Sequence, residues 1–269
     1  MASSKAFEDE KNAFRKISSI LGDSSKPFQE PAGADAGFPD FGFTTTIANK
    51  KIDLHIEYKN SHTAQMGSMR DWRFDGRVFS TPDTESEQKQ ELITLMNGTQ
   101  SAVANGQRLL KDLQKYFSPE VKEIYSGSLT VIKEKSQRWA LTKNFADNTR
   151  DYQIANIADT SLGNKIIQHY KTKFSKSKNT ARARGHILMM MIKDEIWLMD
   201  TSGEVSIKDK ETIAGLFGVN KINQLSGLTA ALEVRIQPRG LSTPGKPTSI
   251  DVMASYRLKG KPVNGAKII

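Results

Sequence analysis

The chain contains no cysteine. Disulfide frameworks, thiolate zinc sites and thiol nucleophiles are therefore excluded. Its four histidines, His55, His62, His169 and His186, are too few for a histidine-rich metal cage. Oxygen ligation of a hard cation such as Mg²⁺ or Mn²⁺ stays open. No apolar run approaches the roughly 18 residues of a membrane-spanning helix, and the opening MASSKAFEDEKNAF has no apolar signal core. The expectation is a cytoplasmic protein with no membrane partner. There is no glycine-rich dinucleotide fingerprint, no Walker loop, no nucleophile elbow and no HxH or HExxH pair. Acidic residues are in short supply too, with 30 Asp and Glu against 39 Lys and Arg, a net charge of +9. A surplus of that sign favours a polyanionic partner, most simply nucleic acid.

What is present is an ordinary globular balance, with 37% hydrophobic and 26% charged residues in 269. That length buries a sizeable core without staples. The expected organisation is a single domain over 1–269, with a β-rich C-terminal subdomain from about residue 176 as the alternative division.

The most patterned stretch is FPDFGFTTTIANKKIDLHIEYKN, Phe38 to Asn60. From Ile52 to Lys59 the residues alternate strictly. Ile52, Leu54, Ile56 and Tyr58 share one side, and Asp53, His55, Glu57 and Lys59 share the other. That period of two predicts a half-buried strand. A preceding strand, Asp40 to Ile47, places Phe41, Phe43 and Ile47 opposite Asp40, Gly42, Thr44 and Thr46. If Ala48-Asn49 is a two-residue loop, Asp40 lies across from Glu57. If the loop is four residues, Asp40 lies across from Lys59. Either even loop keeps Asp40, Glu57 and Lys59 on one face. A three-residue loop would break that facing. Paired strands sit about 4.8 Å apart, close enough for two carboxylates to share a cation.

Pro39-Asp40, followed seventeen residues later by Glu57-Tyr58-Lys59, resembles the signature of the PD-(D/E)xK nuclease superfamily. In that superfamily the Pro-Asp opens one strand of a hairpin and the (D/E)xK closes the next. The resemblance implies a restriction-endonuclease-like core and hydrolysis of phosphodiester bonds by metal-activated water. It implies Mg²⁺ or Mn²⁺ held by Asp40, Glu57 and the backbone carbonyl of Tyr58. Lys59 would orient or help deprotonate the attacking water, or neutralise developing charge. It further implies an acidic residue on an early helix near the metal, for which Glu10 is the best-placed candidate and Asp35 an alternative. It also implies a polar residue soon after the lysine near the scissile phosphate, for which Gln65 is a candidate and His62 another.

Around this hairpin the chain reads in order. Phe7, Phe14, Ile17 and Leu21 recur at helical spacing between Ser4 and Gly22. Residues 22–38 read as a Gly/Pro/Ser-rich loop. In 60–79, Arg70, Trp72, Arg73, Phe74 and Arg77 interleave arginine with aromatics, a pattern equally suited to stacking on bases or to plugging the core. Residues 80–118 carry helical spacing split at Gly98 and Gly106. Residues 127–135 read as a strand. A helix is expected over about 161–174, then a basic loop. Between Lys165 and Arg184 there are five lysines and two arginines (Lys165, Lys171, Lys173, Lys176, Lys178, Arg182, Arg184) and no acid, a run that would attract a phosphate backbone. Strands are expected on either side of Lys193-Asp194-Glu195, with the methionines as core, a short helix or loop at 206–217, and further strands over 227–237 and 249–258. Glu233 and Asp251 form a weaker alternative acidic pair.

The expected fold is thus α/β (α+β), a central mixed sheet flanked by helices. The expected function is a Mg²⁺-dependent DNA endonuclease, for which a homodimer would suit double-strand cleavage. The alternatives are a non-catalytic basic nucleic-acid-binding protein on a nuclease-like scaffold, or a basic interaction protein with no nucleic-acid role.

Overall fold

A computed structural model describes residues 4–32, 38–84, 87–116, 122–128, 153–158, 161–176, 185–203, 210–239 and 249–268. By internal contacts the chain falls into two units. One comprises Met1–Ala64, Thr160–Thr229 and Leu258–Ile269, the other Gln65–Asp159 and Ala230–Arg257. Neither unit is a continuous stretch of chain, so a division near residue 176 does not describe them. Strand pairing between distant segments draws each unit together, and linear sequence does not display such pairing.

In the first unit, helix α1 (Ser4–Leu21) forms where the apolar spacing predicts it. Gly22 ends it at φ 61°, a left-handed conformation that glycine adopts without a Cβ penalty. The loop expected over 22–38 contains an edge strand, β1 (Lys26–Gln29). It is short and carries a proline, as an edge tolerates. The hairpin follows as β2 (Phe41–Ile47) and β3 (Lys50–Lys59). Ala48 and Asn49 both have positive φ, 48° and 63°, the pattern of a type I′ two-residue turn. The register runs from Ile47 against Lys50 to Phe41 against Ile56.

Beyond the hairpin come helix α4 (Leu162–Ser175) and strands β10 (Gly185–Ile192) and β11 (Glu195–Gly203). These are followed by helix α5 (Lys210–Leu216) and strand β14 (Ala266–Lys267). The strands build one mixed sheet in the order β1-β2-β3-β10-β11-β14. The β3–β10 pair is parallel and the others are antiparallel. A parallel neighbour needs a crossover connection, which here contains α4.

The core on one sheet face joins Ala13, Ile17 and Leu21 of α1 and Ile213 and Ala214 of α5 to Phe41, Phe43, Leu54, Ile56, Met189 and Met191. The expectation that β3 is half-buried is corrected, because Asp53, His55 and Glu57 on its polar face are buried as well. Asp53 is reconciled to burial by a 2.7 Å hydrogen bond from the Thr44 hydroxyl. His55 lies edge-on between the rings of Phe28 and Phe174. Gly42 leaves room for this layer, since a Cβ there would fall 2.4 Å from the Phe28 ring. The methionines of β10 and β11 are core, as expected.

The second unit contains β4 (Gln65–Met69), β5 (Arg73–Phe74), β6 (Phe79–Ser80), helices α2 (Glu87–Asn97) and α3 (Gln100–Tyr116), β7 (Ile124–Tyr125), β8 (Gly127–Ser128), β9 (Gln153–Ala158), β12 (Ala230–Arg239) and β13 (Ser249–Leu258). Its main sheet runs β4-β13-β12-β9, and β6-β5-β7 form a smaller one. Gly98 separates α2 from α3. Gly106 does not interrupt α3, and instead lets the helix close onto the Phe74 ring. Of the strand expected over 127–135, β8 is the described part.

Candidate active site

The two-residue turn decides between the two even loops. With Phe41 across from Ile56, Asp40 stands one residue beyond the paired end of β2, across from Glu57. Asp40 Oδ2 accepts the backbone N–H of Tyr58 at 2.8 Å. In an extended strand a residue's N–H and C=O point to the same side, so the Tyr58 carbonyl also faces Asp40. Two residues on, Lys59 Nζ donates to Glu57 Oε1 at 2.6 Å. Glu57 is only 5% exposed. The Pro39 carbonyl, just before Asp40, accepts a hydrogen bond from the Gln29 side chain.

Helix α4 closes over this end of the hairpin. Its buried stripe is Leu162, Ile166, Tyr170 and Phe174. Lys59 Nζ lies over the Tyr170 ring, 5.9 Å from its centroid. The Tyr170 ring stacks on Phe38 with centroids 5.5 Å apart, and Lys173 Nζ caps Phe38 from 4.5 Å.

Electrostatically the cluster is short of positive charge. Burial pushes Asp40 up from 3.8 to about 7, and the neighbouring Glu57 adds to the rise. Lys59 and the Tyr58 N–H oppose it without cancelling it, while Glu10 adds slightly. Glu10 of α1 is raised by burial and then by Glu57. Its Oε1 is buried with no hydrogen-bond partner among the described residues. Burial by itself would lower Lys59. The charges of Glu57, Tyr170 and Asp40 and the bond to Glu57 outweigh it and hold the ammonium well above its ordinary value. Among the described residues, three carboxyl groups therefore share one ammonium at a poorly solvated site. That arrangement draws in a cation and favours whatever neutralises Asp40.

Among the described residues no three His, Asp or Glu side chains are gathered tightly enough to hold a metal on their own. Glu10 thus acts on Asp40 and Glu57 through its charge without completing a three-carboxylate set.

Gln65 opens β4 of the second unit and pairs with Arg257. Arg70 and Arg73 of that unit are exposed, and Arg73 lies over the Tyr125 ring at 5.1 Å. Trp72 and Phe74 are fully buried, so the core reading of these aromatics replaces base stacking. Glu233 forms a 2.9 Å ion pair with Arg257, which accounts for it structurally. The side chain of Asp251 lies outside the described residues. Lys165 and Lys173 of α4 and Lys176 just past its end are exposed, while Lys171 stands 3.9 Å from Asp200. Asp35, Lys178, Arg182 and Arg184 lie outside the described residues. His62, on the loop after β3, has a buried Nε2 with no hydrogen-bond partner among the described residues.

Sequence reasoning noted Tyr170 only as an aromatic interleaved in the basic run, with no role at the hairpin. Its spacing with Ile166 and Phe174 marks it as core-facing, and a buried tyrosine hydroxyl needs a polar partner. That was the available signal. Comparison of the chain with protein-family models, with curated proteins and with solved structures returned no match.

Proposed function

We propose that the chain is a divalent-cation-dependent DNA endonuclease with a restriction-endonuclease-like core. The observation that carries this reading is the single cluster of Asp40, Glu57 and Lys59 at the open end of the β2–β3 hairpin. Within the first unit the elements run α1-β1-β2-β3-α4-β10, the second unit's β4–β9, α2 and α3 intervening in sequence, and helices on both faces of a mixed sheet support the reading.

The residues fit Mg²⁺ or Mn²⁺. Magnesium takes one or two carboxylates, keeps several waters and accepts substrate phosphate oxygens, so it needs no all-protein cage. Asp40 and Glu57 would hold it, with the Tyr58 carbonyl as the neutral oxygen donor. The raised Asp40, and a buried Glu10 oxygen with no hydrogen-bond partner among the described residues, both favour a bound positive charge. When bound, the metal supplies charge stabilisation to the phosphoryl group and makes water more acidic.

The chain's own residues do the rest. Lys59 sits where it can orient a water and offset negative charge accumulating on the phosphate. Its bond to Glu57 fixes its position beside the ligand carboxylates. Lys165, Lys173 and Lys176 present exposed positive charge that would track a phosphate backbone without reading sequence.

The test is incubation of supercoiled plasmid with wild type and Glu57→Ala, each with Mg²⁺ and with EDTA. Nicking or linearisation by wild type with Mg²⁺ alone is the expected result. Retarded DNA in a gel shift without cleavage, repeated on single-stranded, branched and RNA substrates, would instead favour the non-catalytic nucleic-acid-binding reading.

A further inference from the structure

We propose that Lys173 is a substrate-binding residue of the hairpin site, where it takes the phosphate next to the scissile one and aligns the strand being cut. Which phosphate reacts rests on the nuclease reading; the seat of the ammonium does not. Lys173 is exposed, and its Nζ lies 4.5 Å from the centre of the Phe38 ring. Phe38 is itself stacked on Tyr170, with ring centroids 5.5 Å apart. Phe38 stands two residues before Asp40, and two residues span at most about 7 Å of backbone. A cation from α4 is therefore set down beside the strand end that carries the carboxylate cluster.

What holds this lysine decides its use. Lys59 gives its charge to Glu57 at 2.6 Å, and Lys171 stands 3.9 Å from Asp200. Lys173 forms no ion pair among the described residues and rests on a ring instead. An aromatic face attracts a cation without neutralising it and leaves its N–H donors available. The place of Lys173 in the last turn of α4 also suits the helix dipole, which steadies the cation without supplying an anion to pair with it. A lysine stem is otherwise loose, so the ring pre-orients a charge that stays open to a ligand. That charge is felt nearby, since burial and then Lys173 hold His169 below its ordinary value.

The chemistry asks for such a group. A nucleic acid carries a phosphate at every step of the strand, so a strand whose scissile phosphate lies at Asp40 and Glu57 brings a second one alongside. A contact to this non-reacting group aligns the reacting bond and raises kcat. A charge that only tracks the backbone adds uniform binding, which shows in KM.

The test uses Lys173→Met, which keeps an apolar stem on the Phe38 ring and removes the charge. Its kcat on plasmid DNA with Mg²⁺ should fall roughly tenfold, the loss of one hydrogen bond to a charged group, with a much smaller rise in KM. Lys173→Arg keeps the cation and should recover most of the loss. Lys111→Met, which removes the same charge from an exposed position on α3, should match wild type. Wild-type kcat in Lys173→Met, a loss carried wholly by KM, or an Arg variant no better than Met would overturn the proposal.

A readout without cleavage separates this contact from the nuclease reading. Lys173 should be acylated readily by an N-hydroxysuccinimide ester in the free protein, and several-fold more slowly with saturating duplex or single-stranded oligonucleotide, as followed by mass spectrometry. Labelling of Lys111 should not change. If wild type cuts no nucleic acid but Lys173 is protected in this way, the nuclease reading fails and the phosphate contact stands. Lys173 labelled equally with and without bound nucleic acid would sink the contact, even in a protein that cuts.

Discussion

Replacing Asp40 by Asn should make the metal-free protein more stable while disabling its proposed site. Asp40 ionises at 3.8 when unfolded but only near 7 in the fold, chiefly because it is buried and next to Glu57. The folded state therefore holds the proton more tightly. That contribution to stability is fully present below 3.8, shrinks as pH rises, and is gone above about 7. The interval of roughly three pH units corresponds to at most about 4 kcal/mol. Asp40 keeps some solvent contact, which discounts the effect to about 2 kcal/mol. Asn presents an oxygen to the Tyr58 N–H but carries no charge to desolvate. In EDTA, Asp40→Asn should melt roughly 4–8 °C above wild type near pH 8. The two should converge only below pH 3.8, near pH 3, where Asp40 is protonated in both states. Thermal denaturation across that range is the assay. An Asn variant less stable than wild type near pH 8, or an advantage that does not change with pH, would refute the electrostatic account.

Mg²⁺ should raise the melting temperature of wild type near neutral pH but not that of Asp40→Asn, and calorimetry in two buffers near pH 6 should detect proton release as the cation displaces the Asp40 proton. Gly106→Ala should cost about 1–3 kcal/mol, because its Cβ would come 2.9 Å from the Phe74 ring in a filled core; chemical denaturation checks this. Ala48→Asn should stabilise by about 0.5–1 kcal/mol, since the residue occupies φ 48° in a turn that favours Asn. Neutralising Lys165, Lys173 and Lys176 together should weaken binding to all DNA sequences alike and flatten its dependence on salt by roughly 0.9 per lost phosphate contact.

The hairpin was legible because two strands with strict alternation, joined by an even loop, leave Asp40, Glu57 and Lys59 only one shared face. The loop itself was not decidable, since Ala48-Asn49 lacks the glycine that announces a type I′ turn. The burial of β3 on both faces was hidden as well. Asp53 and His55 look like solvent-facing residues until Thr44, Phe28 and Phe174 are brought against them, and those partners come from three other elements. The helix over 162–175 was readable from its spacing, but its polar-tipped Tyr170 was submerged in a run remarkable chiefly for lysine. Trp72 and Phe74 carried two readings because arginine–aromatic alternation suits a surface or a core; burial decided it. The two interleaved units could not be foreseen, since nothing local to 230–258 announces that those strands pair with β9 and β4.

The most direct test of the central claim is single-turnover cleavage of labelled duplex DNA by wild type, Asp40→Asn, Glu57→Gln and Lys59→Met, with each variant shown to be folded by circular dichroism. The account predicts Mg²⁺-dependent phosphodiester cleavage by wild type and its loss in all three variants. Cleavage that persists in folded Glu57→Gln, or that proceeds equally well in EDTA, would contradict it.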